Sequence, residues 1–183
     1  MATQPPATPP AIKAPPYSVH AIHLVRTATQ ANIALSQMAD QKASILMAAT
    51  FVVFTITVSQ ASHGQAAASL LILAFFAFLS AMCAIAAVLP AVKPPARPEG
   101  DANLLFFGVF AQMKEDDFAE RMLAELRADE RIFRTMLRDI HQNGLVLQRK
   151  KYRYLALAYR IFLLGLTLTF VTFLIEHTGI WVH

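Results

Sequence analysis

The chain has 183 residues, 56% of them hydrophobic and only 15% charged, with a mean hydropathy of +0.45 and a formal net charge of +4. A soluble domain averages about 45–50% apolar and roughly 25% charged residues. Here the apolar excess is gathered into runs of about 18 or more uncharged residues, the pattern of membrane spans rather than of a dense core. A free-standing soluble domain, a collagen and a coiled coil are excluded. So is a disulfide scaffold, because Cys83 is the only cysteine and offers neither an internal bridge nor a thiolate cluster for zinc.

In chain order, residues 1–16 hold six prolines separated by Ala and Thr, a disordered or polyproline-like start. No basic start leads into an apolar core with a cleavage site, so the N-terminus is expected in the cytoplasm. Residues 17–42 read as a cytoplasmic helix with Ser18 as N-cap. Val19, Ile22, Val25 and Ile33 lie along one side, and Gln30, Asn32, Gln37, Asp40, Gln41 and Lys42 keep it out of the bilayer. Residues 43–61 carry no charge and form the first predicted span. After a polar turn, residues 66–92 form the second, longer than needed and expected to tilt or to be capped by Pro90. Residues 155–175 form the third, with Arg160 one turn inside and its guanidinium lifted to the headgroups, and residues 176–183 are a short external tail.

Residues 93–154 are an insert between the second and third spans. Asn103 to Phe110 is strongly apolar but too short to cross a bilayer, so it packs on other helices or lies on the membrane surface. From Asp116 one helix is predicted, with Phe118, Met122, Leu126, Phe133, Leu137 and Ile140 on a single stripe. Asp117–Arg121 and Glu130–Arg134 are acid-first i,i+4 pairs. Asn143-Gly144 either breaks this helix or lets it run on into the third span. The segment 18–42 is the natural partner for the stripe. The fold class is therefore all-α: three transmembrane helices with helical cytoplasmic extensions forming a small bundle. Lys42, Lys93, Arg97 and the set Arg149, Lys150, Lys151 and Arg153 gather at one end of the spans, which puts that end and the N-terminus inside and the C-terminus, with Trp181, outside.

No motif for catalysis is present: no nucleotide P-loop, Gly-rich dinucleotide loop, nucleophile elbow or zinc-protease helix. No enzyme and no metal cofactor are expected. His20 and His23 read as surface or packing residues, Glu115-Asp116-Asp117 as an acidic helix start, and Cys83 as packing. Two constellations remain. Asp40 and Lys42 stand two residues apart where the helix enters the membrane, and so do not face each other. They are either an interfacial anchor with a solubilising acid or two groups facing a polar pocket between helices. The basic set from Arg149 to Arg153 either anchors to lipid headgroups or makes a phosphate-binding surface, with Arg131, Arg134 or Arg138 contributing.

The run from Leu35 to Leu46, with Ala39-Asp40-Gln41-Lys42-Ala43 at the helix entrance, resembles the Pycsar effector membrane proteins. So do Asn103-Leu104-Leu105-Phe106-Phe107-Gly108 after the second span, then Phe118 and the Asp139-Ile140 region ahead of a basic approach to the last span. The resemblance covers most of residues 18–175. It implies a partner pyrimidine cyclase that makes cyclic UMP or cyclic CMP on phage infection. It also implies a bacterial inner-membrane effector, activated by that ligand, that kills the infected cell by abortive infection. A homo-oligomer is expected, and no nucleic acid polymer. On this reading Asp40 and Lys42 are motif residues, Asn103 bonds a base or backbone, and Arg149 or Arg153 meets the phosphate. No recognised β-roll for cyclic nucleotides is present, so binding would be built from helices. The competing readings are a non-gated scaffold or accessory subunit that docks a cytoplasmic partner through the insert, and a pore-forming toxin without a ligand.

Overall fold

The computed structural model describes residues 17–63, 67–90 and 102–178. The expectations for the Pro-rich start, the middle of the first turn, Lys93, Arg97 and Trp181 lie outside the described residues. Everything regular among the described residues is helical: α1 (Ala21–Ser62), α2 (Ala68–Val88), α3 (Phe107–Phe110), α4 (Glu115–Glu125), α5 (Asp129–Val146) and α6 (Arg153–Thr178). A π-helical turn, Leu147–Tyr152, joins α5 to α6 without a break. Three helical stretches are long and apolar enough to cross a membrane, namely α1, α2 and the 50-residue rod from Asp129 to Thr178. The protein is a multi-pass membrane protein.

The helix expected over 17–42 and the first span are one 42-residue helix. No Gly or Pro interrupts it, so at 1.5 Å per residue it reaches about 63 Å, far longer than a bilayer needs. Ser18 lies just ahead of it, its carbonyl accepting from the Ala21 amide at 2.9 Å and its Oγ from the His20 amide at 3.3 Å. The second span is shorter than the sequence suggested. The α2 helix stops at Val88 because Leu89, ahead of Pro90, is extended at ψ 130°. The single helix predicted from Asp116 is two. Ala128 is extended between α4 and α5, and Thr135 Oγ1 donates to Glu125 Oε2 at 3.0 Å to hold the two together. Leu126 and Leu137 are more than half exposed, so the apolar stripe is not one buried seam. The Glu130–Arg134 pair forms at 2.7 Å. Past Asn143-Gly144 the helix runs on, and Gly144 has open space where a Cβ would stand.

The α2 helix packs between α1 and α6. Its seams are made of small residues: Ala39, Ala43 and Thr50 on α1, Ala77, Ser80, Ala84 and Ala87 on α2, and Ala158 and Gly165 on α6. Between spans there is little hydrophobic drive, and close backbone approach supplies the attraction. Buried Ser80 donates to the Ala158 carbonyl at 2.9 Å, and Cys83 packs beside Leu46, Ala84 and Ala158. The α6 helix also runs parallel to α1. Tyr152, the last residue of the π turn, and Tyr159 on α6 donate to the carbonyls of Leu35 and Lys42, at 3.5 and 3.3 Å, seven residues apart on both sides of the contact. Beyond the basic end, α1 meets α5 as expected: Asn32 Nδ2 donates to the Ile140 carbonyl at 3.0 Å, and Tyr17 packs edge-on against Phe133.

At the opposite end, Glu176 caps α2. Its carboxylate accepts from Ser69 Oγ at 2.6 Å and from the Ser69 amide at 3.2 Å. The Ser69 hydroxyl, helped by the backbone amides, holds the Glu176 carboxyl below the usual carboxylate range. A depressed carboxylate contributes stability above the usual range, lost as pH falls through its folded value. The midpoint of thermal unfolding in detergent is therefore expected to fall on acidification in the wild type, and Glu176→Gln to remove that component. At Gly165, an added Cβ would fall on the Cβ and Cγ of Phe76. Gly165→Val should cost about 1–3 kcal/mol by overpacking, read in the same unfolding measurement.

Candidate functional site

Polar groups converge where the rod passes the basic end of α1 and α2. Lys151, on the π turn, donates to both oxygens of Asp40 at 2.8 and 2.7 Å and to Ser36 Oγ at 2.7 Å. Its side chain is 19% exposed and that of Asp40 is 40%. All three ammonium protons have acceptors, which is what a partly buried lysine requires. Its neighbour Lys150 reaches the other way and donates to the carbonyls of Leu89 and Pro90, at 2.8 and 3.3 Å, just past the end of α2. Those carbonyls have no partner within the helix, and a cation there also suits the helix dipole.

About three turns up the rod, Asp139 accepts from Asn103 Nδ2 at 3.0 Å and from Asn143 Nδ2 at 2.9 Å, one amide to each oxygen. Asn103 is 2% exposed, and its Oδ1 accepts from the Leu105 amide at 3.0 Å. That local turn bends the chain so that Leu104 and Phe106 are buried while Leu105 and Phe107 stay exposed. The Asn103–Phe110 segment thus packs on the helices through alternate residues.

Two cavities open on either side of this polar column. One, of about 290 Å³, lies between α1 and α5, lined by Thr29, Asn32, Ser36 and Gln37. The other, of about 500 Å³, lies between α5, the end of α2 and the Asn103 segment, lined by Leu89, Pro90, Phe106, Phe107 and Lys150. Asp139, Asn143, Val146 and Lys151 line both. Small-molecule sites are typically about 300–1,000 Å³, mostly apolar with a few polar groups, and the larger cavity matches that description.

Of the residues singled out in sequence, Asp40 and Asn103 belong to this column. Lys42 is exposed and lines neither cavity, although its carbonyl accepts the Tyr159 hydroxyl. Asp40 likewise lines neither cavity and joins the column through its contact with Lys151. Arg149 and Arg153 are exposed as well, while Lys150 and Lys151 between them turn inward. Asp139, Asn143 and the two lysines were not singled out as the inward-facing groups. The i,i+4 spacing of Asp139 and Asn143 was a visible signal, and the split of the basic set was not. His20 and His23 stand with ring centroids 6.3 Å apart, and among the described residues no group of three or more His, Cys, Asp or Glu gathers.

Removing the Asn103 amide strips one oxygen of Asp139 and frees the Leu105 amide. Asn103→Ala should destabilise by about 1–3 kcal/mol and increase proteolysis between residues 102 and 114, checked by thermal unfolding and peptide mapping.

No curated protein and no solved structure matches the chain. A family model does: that of the Pycsar effector protein domain matches residues 23–176, from the first turn of α1 to Glu176 at the end of α6. The match takes in all three spans and the whole polar column, and the chain therefore belongs to the Pycsar effector family, whose members are effectors of antiphage defence.

Proposed function

We propose that the protein is a non-enzymatic antiphage effector of the bacterial inner membrane, gated by a cyclic pyrimidine nucleotide that binds in the cavity beside Lys150 and Lys151. The observation that carries this reading is the pair of consecutive lysines. One ties the rod to α1 and the other ties it to α2, on the wall of a cavity of small-molecule size. A ring phosphate is monoanionic and seeks such cations. The pyrimidine would lie against Phe107, with the amide of Asn143 near its edge and Asn103 behind it holding Asp139 in place. Arg149 and Arg153, expected on the phosphate from sequence alone, give way to Lys150 and Lys151 in this arrangement.

A phosphate that engages the lysines competes with Asp40 and with the Leu89 and Pro90 carbonyls. Ligand binding then loosens both ties at once and favours an assembly in which the spans part, as the differential affinity requires. The N-terminus and the basic end are cytoplasmic in this reading, the C-terminus is external, and a partner cyclase supplies cyclic UMP or cyclic CMP. Several copies act together to impair the membrane.

Calorimetric titration of the full chain in detergent is expected to give saturable binding of one pyrimidine ring nucleotide, with cyclic AMP and cyclic GMP inert. Lys151→Met should weaken that binding at least about tenfold, equivalent to about 1.4 kcal/mol. Absence of binding to folded protein overturns the gated reading. The docking-subunit reading would then lead, favoured by Leu123, Leu126 and Leu137, all more than half exposed on α4, its C-terminal boundary and α5.

A further inference from the structure

We infer that the lipid-facing side of α6 carries a binding site for an anionic phospholipid headgroup, held between Arg153 and Arg160. The π turn sorts the basic set: Lys150 and Lys151 are spent on internal acceptors, while Arg149 and Arg153 face outward and are exposed. Arg160 is exposed too, although it stands inside the apolar helix among Ile161, Phe162 and Leu163. Arg153 and Arg160 are one heptad apart, so they share a side of α6 to within about 20° and lie about 10 Å apart along it. That side is opposite the one on which Leu155, Ala158 and Gly165 are buried against the bundle.

Neither arginine takes part in an ion pair or side-chain hydrogen bond among the described residues. No Asp or Glu stands between them and Glu176 at the far end. An unpaired guanidinium at that depth draws an anion toward it, and its planar fork fits a phosphodiester through two bonds. The apolar residues that continue the same stripe, Leu157, Leu164 and Val171, are each between 44% and 52% exposed and would lie along the acyl chains. Those neighbours select a lipid rather than a free anion. The net positive pair selects an anionic headgroup over a zwitterionic one. The site requires only that the chain spans a membrane and is independent of the nucleotide reading.

Native mass spectrometry of the full chain, titrated in detergent with phosphatidylglycerol or phosphatidylcholine, tests it. Phosphatidylglycerol adducts are expected at least about fivefold more readily than phosphatidylcholine adducts, as about one favourable basic contact would give. The double variant Arg153→Gln/Arg160→Gln should lose the preference, and Arg127→Gln, away from the span, should keep it. Equal adducts with the two lipids, equal loss in Arg127→Gln, or displacement by millimolar inorganic phosphate would each overturn the proposal. The lipid comparison on the unaltered chain stands whatever the yield of the variants, and Arg160→Lys, which retains the charge, should keep part of the preference.

Discussion

Lys151 holds the two longest helices in register. Its ammonium bonds Asp40 and Ser36 on α1 from a position between α5 and α6. To arrive there it has to share a side of the rod with Leu147 and Leu155, four residues away in each direction. Leu147 and Leu155 both belong to the buried cluster with Ala39, Ala43 and Ala87. In a straight α-helix each step of four residues overshoots a full turn by about 40°, and two steps would carry one of the three off the seam. The wider π turn takes up the drift. The ion pair and the irregular turn are thus one device, and the turn is also what aims Lys150 at the end of α2.

Inside the bilayer the logic changes from charge to size. Small residues line both sides of α2, and the hydroxyls of Thr50, Thr55 and Thr57 return to carbonyls of their own helix, which satisfies them without a partner from another span. Ser80 instead bonds across a seam. Bulky residues such as Phe51, Phe75 and Phe170 face outward, the reverse of a soluble protein, because lipid accepts them and close helix approach does not. The spans are therefore held by fit along α2 and by polar clasps at each end, Lys150 and Lys151 at one and Glu176 at the other.

Much of this was legible from the residues. The spans declared themselves through uncharged runs, and the pairing of the pre-span helix with the insert followed from their apolar sides. The end of α2 was legible in principle, since Pro90 biases Leu89 away from helix. The split between α4 and α5 was not, because Leu126, Arg127 and Ala128 all favour helix and only tertiary contacts from Glu125 and Arg131 overrule them. The partnership of Asn103 with Asp139 was hidden for another reason: the two are far apart in sequence, and only the bend after Asn103 brings them together. The inward turn of Lys150 and Lys151 was invisible because helical periodicity assumes 3.6 residues per turn, and that assumption fails at the π turn.

Gly144 adds a mechanical property to the rod. Nothing packs where its side chain would be, so the residue is not there to let another helix approach. A glycine inside a helix costs roughly 1 kcal/mol relative to alanine because its backbone is freer. Here that compliance sits just ahead of the π turn, where the backbone hydrogen bonds shift to wider spacing. Stiffness along the 50 residues is therefore expected to be uneven: α5 and α6 act as two levers about a pivot at Gly144, just ahead of the segment that the two lysines tie to α1 and α2. A push on α5 from the extramembrane side is delivered to α6 as a change of tilt at that pivot, with the span itself staying straight.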